Sequence, residues 1–204
     1  EFSTVAKLLS YDDCKVEDVL QKTYIEGLDI LPSNLSLSVA EFNLFQAEGR
    51  EFILREKLKN VEYDYIIVDT GPSFSVLSIN AYLFAEHIII PMHLHFYALA
   101  GIETLIDTIN KINSKVGSLV NHKLTILGVV FNMYKTQSNI SKNILETLIS
   151  IFGDKIFHTH IRENVKIMEA QKKGISVLDH DPKNVVCETF KNLTQEIVGR
   201  LENV

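Results

Sequence analysis

The sequence predicts an α/β protein, a doubly wound and mostly parallel sheet with helices on both faces, of the kind built around phosphate-binding loops. Three observations predict it. Residues 63–69, 86–91 and 124–132 are short runs that stay apolar on both sides, as strands buried on both faces do. Stretches with helical spacing alternate with them, which is the pattern of helices packed over a parallel sheet. Right-handed crossovers then wind the helices onto both faces.

The elements follow in order. Residues 28–32 read as a short strand ended by Pro32-Ser33-Asn34. Residues 35–50 carry helical spacing, and 51–58 continue that helix or begin another. Residues 63–69 are a β-branched run that stops at Asp69-Thr70-Gly71-Pro72, and 73–84 read as a helix. After the strand at 86–91, residues 98–116 form a long amphipathic helix with Leu99, Ile102, Leu105, Ile106, Ile109 and Ile112 on one stripe, a core-packing face. The strand at 124–132 is followed by a helix over 138–152, a strand over 155–161, and helices over 165–173 and 183–201.

The 204 residues are expected to form a single domain, 1–204. An apolar fraction of 46% and a charged fraction of 23% exclude disorder as the main state. Cys14 and Cys187 offer neither a disulfide framework nor metal-ligand spacing, which fits a reducing, cytoplasmic setting. The longest apolar run, 88–92, is strand-sized and far short of a membrane helix. The opening Glu1-Phe2-Ser3 is neither basic nor followed by an apolar stretch, so no secretory signal is expected there. It also lacks an initiator Met, so the true start is expected upstream. The net charge of −6 argues against a general nucleic-acid coat but permits a local basic face.

In doubly wound sheets ligands bind beyond the carboxyl ends of the strands. Asp69 lies at such an end. Its carboxylate either holds a Mg²⁺ through water, or caps the next helix or pairs with a lysine. Gly71-Pro72 fixes a tight turn after it. Asn132, 93–98 and 162–164 follow the other strands. His93 with His95, and His158 with His160, each project to one face of a strand end, but no third metal ligand is evident, which favours structural or surface roles.

Several segments in order resemble the ParA/Soj family of partition ATPases, from about Gly27 to the C-terminus. Residues 63–73, Tyr-Asp-Tyr-Ile-Ile-Val-Asp-Thr-Gly-Pro-Ser, resemble its Walker B and switch II segment, with Gly71 replacing the family's usual Pro. Ile89-Ile90-Pro91 with Phe96-Tyr97-Ala98-Leu99-Ala100-Gly101 resembles the next strand and helix. Gly128-Val129-Val130-Phe131-Asn132-Met133-Tyr134 resembles the family's later strand end. Residues 161–170, with Ile161-Arg162-Glu163-Asn164-Val165 at their start, resemble I-P-R-N-V-R-L-x-E-A, and Asp181-Pro182-Lys183 resembles the D-P-R that opens the last helix. Gly27 to Asn34 resemble G-L-D-L-I-P-A/S-N.

The resemblance implies ATP and Mg²⁺ as cofactors. It places Asp69 in the Mg²⁺ shell through water, and Asp69, Thr70, Pro72, Asn132, Arg162, Glu163 and Val165 around the nucleotide. Asn132 would present its amide, a donor and an acceptor, to adenine. Lys135, Arg162, Lys166 and Lys183 would contact DNA. The stretch 132–173 holds seven basic and four acidic residues in a chain that is acidic as a whole, as phosphate contact requires. The family implies an ATP-dependent homodimer, nonspecific DNA binding, a ParB/Spo0J-like partner that stimulates hydrolysis, and a nucleoid-associated cytoplasmic protein with no membrane attachment.

One departure is large. The family's P-loop, K-G-G-x-G-K-[ST], and its water-activating switch I Asp do not occur in these 204 residues, and no Gly-Lys-Ser/Thr is present. The expectation is a chain lacking the first βαβ unit of its parent, with hydrolysis belonging to the full-length protein. Two alternatives follow: a catalytically inactive, truncated ParA-like interaction module, and a MinD-like membrane-cycling ATPase. The end of the chain, 195–204, carries one Arg and two Glu, unlike a basic amphipathic membrane anchor.

Overall fold

The computed structural model describes residues 4–71, 74–94, 98–133 and 139–203. Their packing divides the chain into two compact units: Glu1–Glu86 with Ile112–Leu124, and His87–Lys111 with Thr125–Val204.

In the first unit, helices α1 (Val5–Ser10), α2 (Ser36–Leu44), α3 (Ile53–Leu58) and α4 (Val76–Phe84) enclose a core of Leu8, Val19, Leu44, Leu54, Leu58 and Val76. A short antiparallel hairpin pairs β1 (Gln21–Lys22) with β2 (Asp29–Ile30). Its turn closes through the Thr23 hydroxyl, which donates to the Leu28 carbonyl at 2.7 Å, while Gly27 takes a left-handed φ of +79° that favours glycine. Asn80, 1% exposed, holds the helices together: its carboxamide oxygen accepts from Leu54 N at 2.9 Å and its nitrogen donates to the carbonyls of Arg50 and Val76. Lys57 donates to the carbonyls of Tyr11, Asp12 and Cys14, tying α3 to the turn after α1.

The predicted strand at 63–69 joins no ladder among the described residues. Ile66 is 43% and Ile67 93% exposed. A strand is stable as a strand only when its backbone groups are paired, and this run pairs with no neighbour among them. Only its first residue is tied down, Tyr63 Oη donating to Asp29 Oδ2, which also takes Lys22 Nζ at 2.7 Å.

The second unit is the doubly wound pattern in small. Strands β3 (His87–Met92) and β4 (Thr125–Phe131) pair in parallel, His87 beside Thr125 and Met92 beside Phe131, with one irregularity between Ile88 and Ile89. Their side chains alternate between two helical layers. Ile88, Ile90, Met92, Val129 and Phe131 pack against α5 (Ala98–Lys111) and α6 (Asn139–Phe152). Ile89 and Val130 pack against α7 (Val165–Lys173) and α9 (Val185–Leu201), through Ile167, Phe190, Leu193 and Ile197. A short α8 (Val177–His180) precedes α9. The predicted strand at 155–161 is reduced to one parallel bridge, Ile156 with Val129, plus hydrogen bonds from Phe157 N to Val129 O and from Ile161 N to Phe131 O, each 2.9 Å. It follows β4 closely enough to place Arg162 one residue beyond it.

Arg200, near the end of α9, locks this unit. Its guanidinium donates to the carbonyls of Leu127, Lys155 and Ile156 at 3.1, 2.8 and 2.8 Å and lies 4.0 Å over the Phe157 ring. It also pairs with Glu196, whose carboxylate accepts from His158 N and Thr159 N at 2.8 and 3.0 Å. Gly128 is required where these groups meet: a Cβ there would strike the Phe157 ring and stand 2.7 Å from Lys155 O and 2.8 Å from Arg200 Nη1.

Candidate nucleotide site and basic face

The candidate residues fall in both units. Asp69 and Thr70 follow the apolar run 66–68 of the first unit, and both are exposed. Asp69 has no hydrogen bond or ion pair among the described residues, so its carboxylate caps no helix and pairs with no lysine there. An exposed, uncommitted carboxylate is a hard oxygen donor of the kind that takes Mg²⁺ through its waters, so the residue fits the ion. No group of three or more His, Cys, Asp and Glu gathers for a metal among the described residues, and a lone carboxylate fits an ion that brings its own waters better than a protein cage. Pro72 lies outside the described residues.

In the second unit Asn132 leaves β4 with its backbone N–H donating to Met92 O at 2.8 Å. Its side-chain oxygen accepts from Met133 N at 2.9 Å, and its Nδ2 has no hydrogen-bond partner among the described residues. Met133 takes a left-handed φ of +50°, a conformation that costs a non-glycine residue about 1 kcal/mol. Sequence reasoning missed this turn, because nothing in Asn-Met-Tyr signals it.

Arg162 and Glu163 are exposed on the segment entering α7, and Val165, its first residue, is 60% exposed. Asn164 caps that helix, its Oδ1 accepting from Lys166 N at 2.9 Å. Lys166 is held by Glu169 at 2.8 Å, and Glu169 also takes His180 Nε2 at 3.1 Å. The Lys166 ammonium, and after it the His180 ring, hold the Glu169 carboxyl below its ordinary range, and the same pair raises Lys166. Lys166 is therefore already spent in part, whereas Arg162 and Lys183 are exposed with no partner among the described residues. Lys135 lies outside them. Asn184 caps α9, accepting from Val186 N at 3.2 Å. These two cap asparagines were not singled out by the sequence reading, although an Asn just before an apolar-periodic stretch is a helix-start signal.

His158 and His160 gather no third ligand among the described residues. His160 is half-buried against Phe131, ring centroids 5.4 Å apart, and burial lowers its pKa from the usual histidine value.

Helices on both sides of paired parallel strands define an α/β class. The AAA domain family matches residues 2–126. The sporulation initiation inhibitor protein Soj of Bacillus subtilis is 32% identical over 190 residues, 92% of this chain and 74% of that protein. The ATP complex of a Cyanothece McdA variant superposes with a TM-score of 0.80 at 21% identity, over 95% of this chain and 75% of that one. Cobyrinic acid a,c-diamide synthase from Mycobacterium smegmatis, with bound ATP analog and magnesium, gives 0.64 at 26% identity, over 74% of this chain and 60% of that one. The chain thus spans under two thirds of that enzyme. The chain belongs to the ParA/Soj family of the MinD/ParA superfamily, and its fold is the α/β fold of the P-loop ATPases.

Proposed function

We propose that this chain serves a ParA/Soj-type ATPase in plasmid or chromosome partition, a cytoplasmic protein that works on the nucleoid. ATP with Mg²⁺ drives dimerisation, the dimer holds DNA without sequence preference, and a ParB-like partner stimulates hydrolysis. Asp69 holds the Mg²⁺ through water, with Thr70 and Pro72 in the same loop. Asn132 meets the adenine edge through Nδ2, and Arg162, Glu163 and Val165 flank the base. Mg²⁺ supplies charge neutralisation on the phosphates, and loops held by the ion and the γ-phosphate relax after hydrolysis. The lysines of the phosphate cradle and the water-activating Asp are not among these 204 residues, so hydrolysis is assigned to the full-length protein that carries them. Arg162 and Lys183 lead the DNA contacts, with Lys135 and Lys166 beside them.

The likeness to Soj over 92% of the chain carries this reading, and the exposed, uncommitted Asp69 supports it. The test uses the native protein from its source. Asp69→Ala should weaken Mg²⁺-dependent ATP-analogue binding roughly tenfold, about 1.4 kcal/mol, and leave binding in EDTA unchanged. Unchanged affinity with Mg²⁺ would remove Asp69 from its role. No helix among the described residues is long and apolar enough to cross a membrane.

A further inference from the structure

The caps of α7 and α9 are joined to each other. Asn164 Nδ2 donates to Asn184 Oδ1 at 2.9 Å, while Asn164 Oδ1 caps α7 and Asn184 Oδ1 also caps α9. Asn184 is anchored in turn on Asp181, through its backbone N–H to Asp181 O at 2.9 Å and its Nδ2 to Asp181 Oδ2 at 3.3 Å. Capping alone does not call for this residue at 164, because Ser, Thr or Asp caps a helix as well. The cross-link does. Asp has no donor, and Ser cannot reach a second helix while capping its own. Only a carboxamide accepts from its own helix and donates to the neighbour at once.

The bridge lies close in sequence to both exposed cations. Arg162 lies two residues before Asn164 and Lys183 one residue before Asn184, so their Cα atoms are within about 8 and 4 Å of the bridged positions. Two helix starts carrying partial positive charge meet at the same place; α7 has no acidic residue in its first turn, while α9 carries Glu188 there and the Asp181 carboxylate lies against Asn184. We propose that Asn164 and Asn184 are a positioning pair that fixes the spacing of Arg162 and Lys183, so that the two cations meet neighbouring phosphates of one DNA backbone together. This rests on the DNA reading above. The pair touches no DNA itself. It turns two independent, mobile cations into one preset contact, and a preset contact loses less freedom on binding.

The test measures retention of a duplex of arbitrary sequence by the full chain, with ATP and Mg²⁺, across a salt series. Asn164→Ser and Asn184→Ser keep both caps and all charges but break the bridge. Each should weaken binding about fivefold, and the double variant should be no weaker than either single, since both remove one link. The slope of log affinity against log salt should fall by about 0.9, one phosphate contact, which a loss of stability alone would not change. In a Lys183→Gln background Asn164→Ser should cost almost nothing further, because no second cation is left to space, whereas a general loss of folding would cost the same in both backgrounds. Wild-type affinity and slope in the serine variants, or an undiminished loss from Asn164→Ser in the Lys183→Gln background, would overturn the positioning pair. If Arg162→Glu with Lys183→Glu abolishes retention in that case, the DNA reading stands without it. If that charge-reversed variant retains DNA as the wild type does, the DNA reading fails and the positioning pair with it.

Discussion

The two units treat apolar strand sequence in opposite ways. In the second, β3 and β4 pair with each other and bury Ile90, Met92, Val129 and Phe131 between two helical layers. In the first, residues 63–69 form the most strand-like run of the chain, yet Ile67 stands 93% exposed. Helix α2 shows the same contrast: Ala40 and Leu44 are buried, but Leu35 just before it, and Val39 and Phe42 on the same side, are 92%, 63% and 69% exposed. The charge differs too. The first unit holds nine basic and fifteen acidic residues, the second eleven of each, so the acidity of the chain is confined to one unit. An apolar run becomes a strand only where a second backbone is there to pair with it. Local sequence chooses the extended backbone, and its neighbours choose the sheet.

Substitutions at the polar locks of the two units put a scale on that difference. The largest effect is expected at Arg200, where Arg200→Ala leaves the carbonyls of Leu127, Lys155 and Ile156 without their donor, frees Glu196 and removes the ring contact to Phe157. The cost should be about 3–4 kcal/mol in urea unfolding, because several charge-assisted hydrogen bonds of a part-buried network are lost together. A cost below about 1 kcal/mol would mean that α9 is held by apolar packing alone. In the first unit, Asn80→Leu should cost about 2–3 kcal/mol, because Leu54 N and the carbonyls of Arg50 and Val76 lose their partner. If Asn80→Leu costs more than Arg200→Ala, the first unit, despite its exposed apolar residues, is the more tightly determined of the two.

The parts legible in the sequence were those set by short-range pattern. The helix over 165–173 has the bounds its spacing predicts, and the helix at 183–201 begins two residues later than expected, because Asn184 caps it. The parallel pairing of β3 and β4 follows from runs apolar on both sides. At the candidate site, Asp69, Asn132 and Arg162 are found by their places after apolar runs. The rest depends on partners distant in sequence. Nothing near Gly128 announces that Phe157 and Arg200 will crowd it, and nothing in Asn-Val at 164 or 184 says that two caps 20 residues apart will share a hydrogen bond. The left-handed Met133 is invisible for a related reason: methionine has no preference for that conformation, so only the surrounding fold dictates it.

The smallest expected effect concerns acid. His160 is half-buried on Phe131, and burial lowers its pKa below the unfolded value of 6.5. The folded state therefore binds its proton later than the unfolded state does as pH falls. The stability from the neutral ring is fully present above pH 6.5 and is lost progressively as pH falls below it toward the depressed folded pKa. Glu196 acts lower in the range. Burial pushes its carboxyl up, but the backbone N–H groups of His158 and Thr159 and the charge of Arg200 outweigh this and hold it below 4.5, so its contribution is lost only in stronger acid. The two groups thus predict an acid limb with two steps, the upper from His160 and the lower shared by Glu196 with the other carboxyls held below their ordinary range, Glu169, Asp29 and Glu56. Replacing the ring by a neutral one of similar size, His160→Phe, should remove the upper step and leave the lower. Urea unfolding at intervals from pH 7.5 to about pH 2.5 reads this directly, since only titration changes the slope of stability with pH. If the upper step persists in His160→Phe, another histidine carries it. If the lower step shrinks as well, His160 acts by placing the segment that binds Glu196, and the ring is a packing element before it is a titrating one.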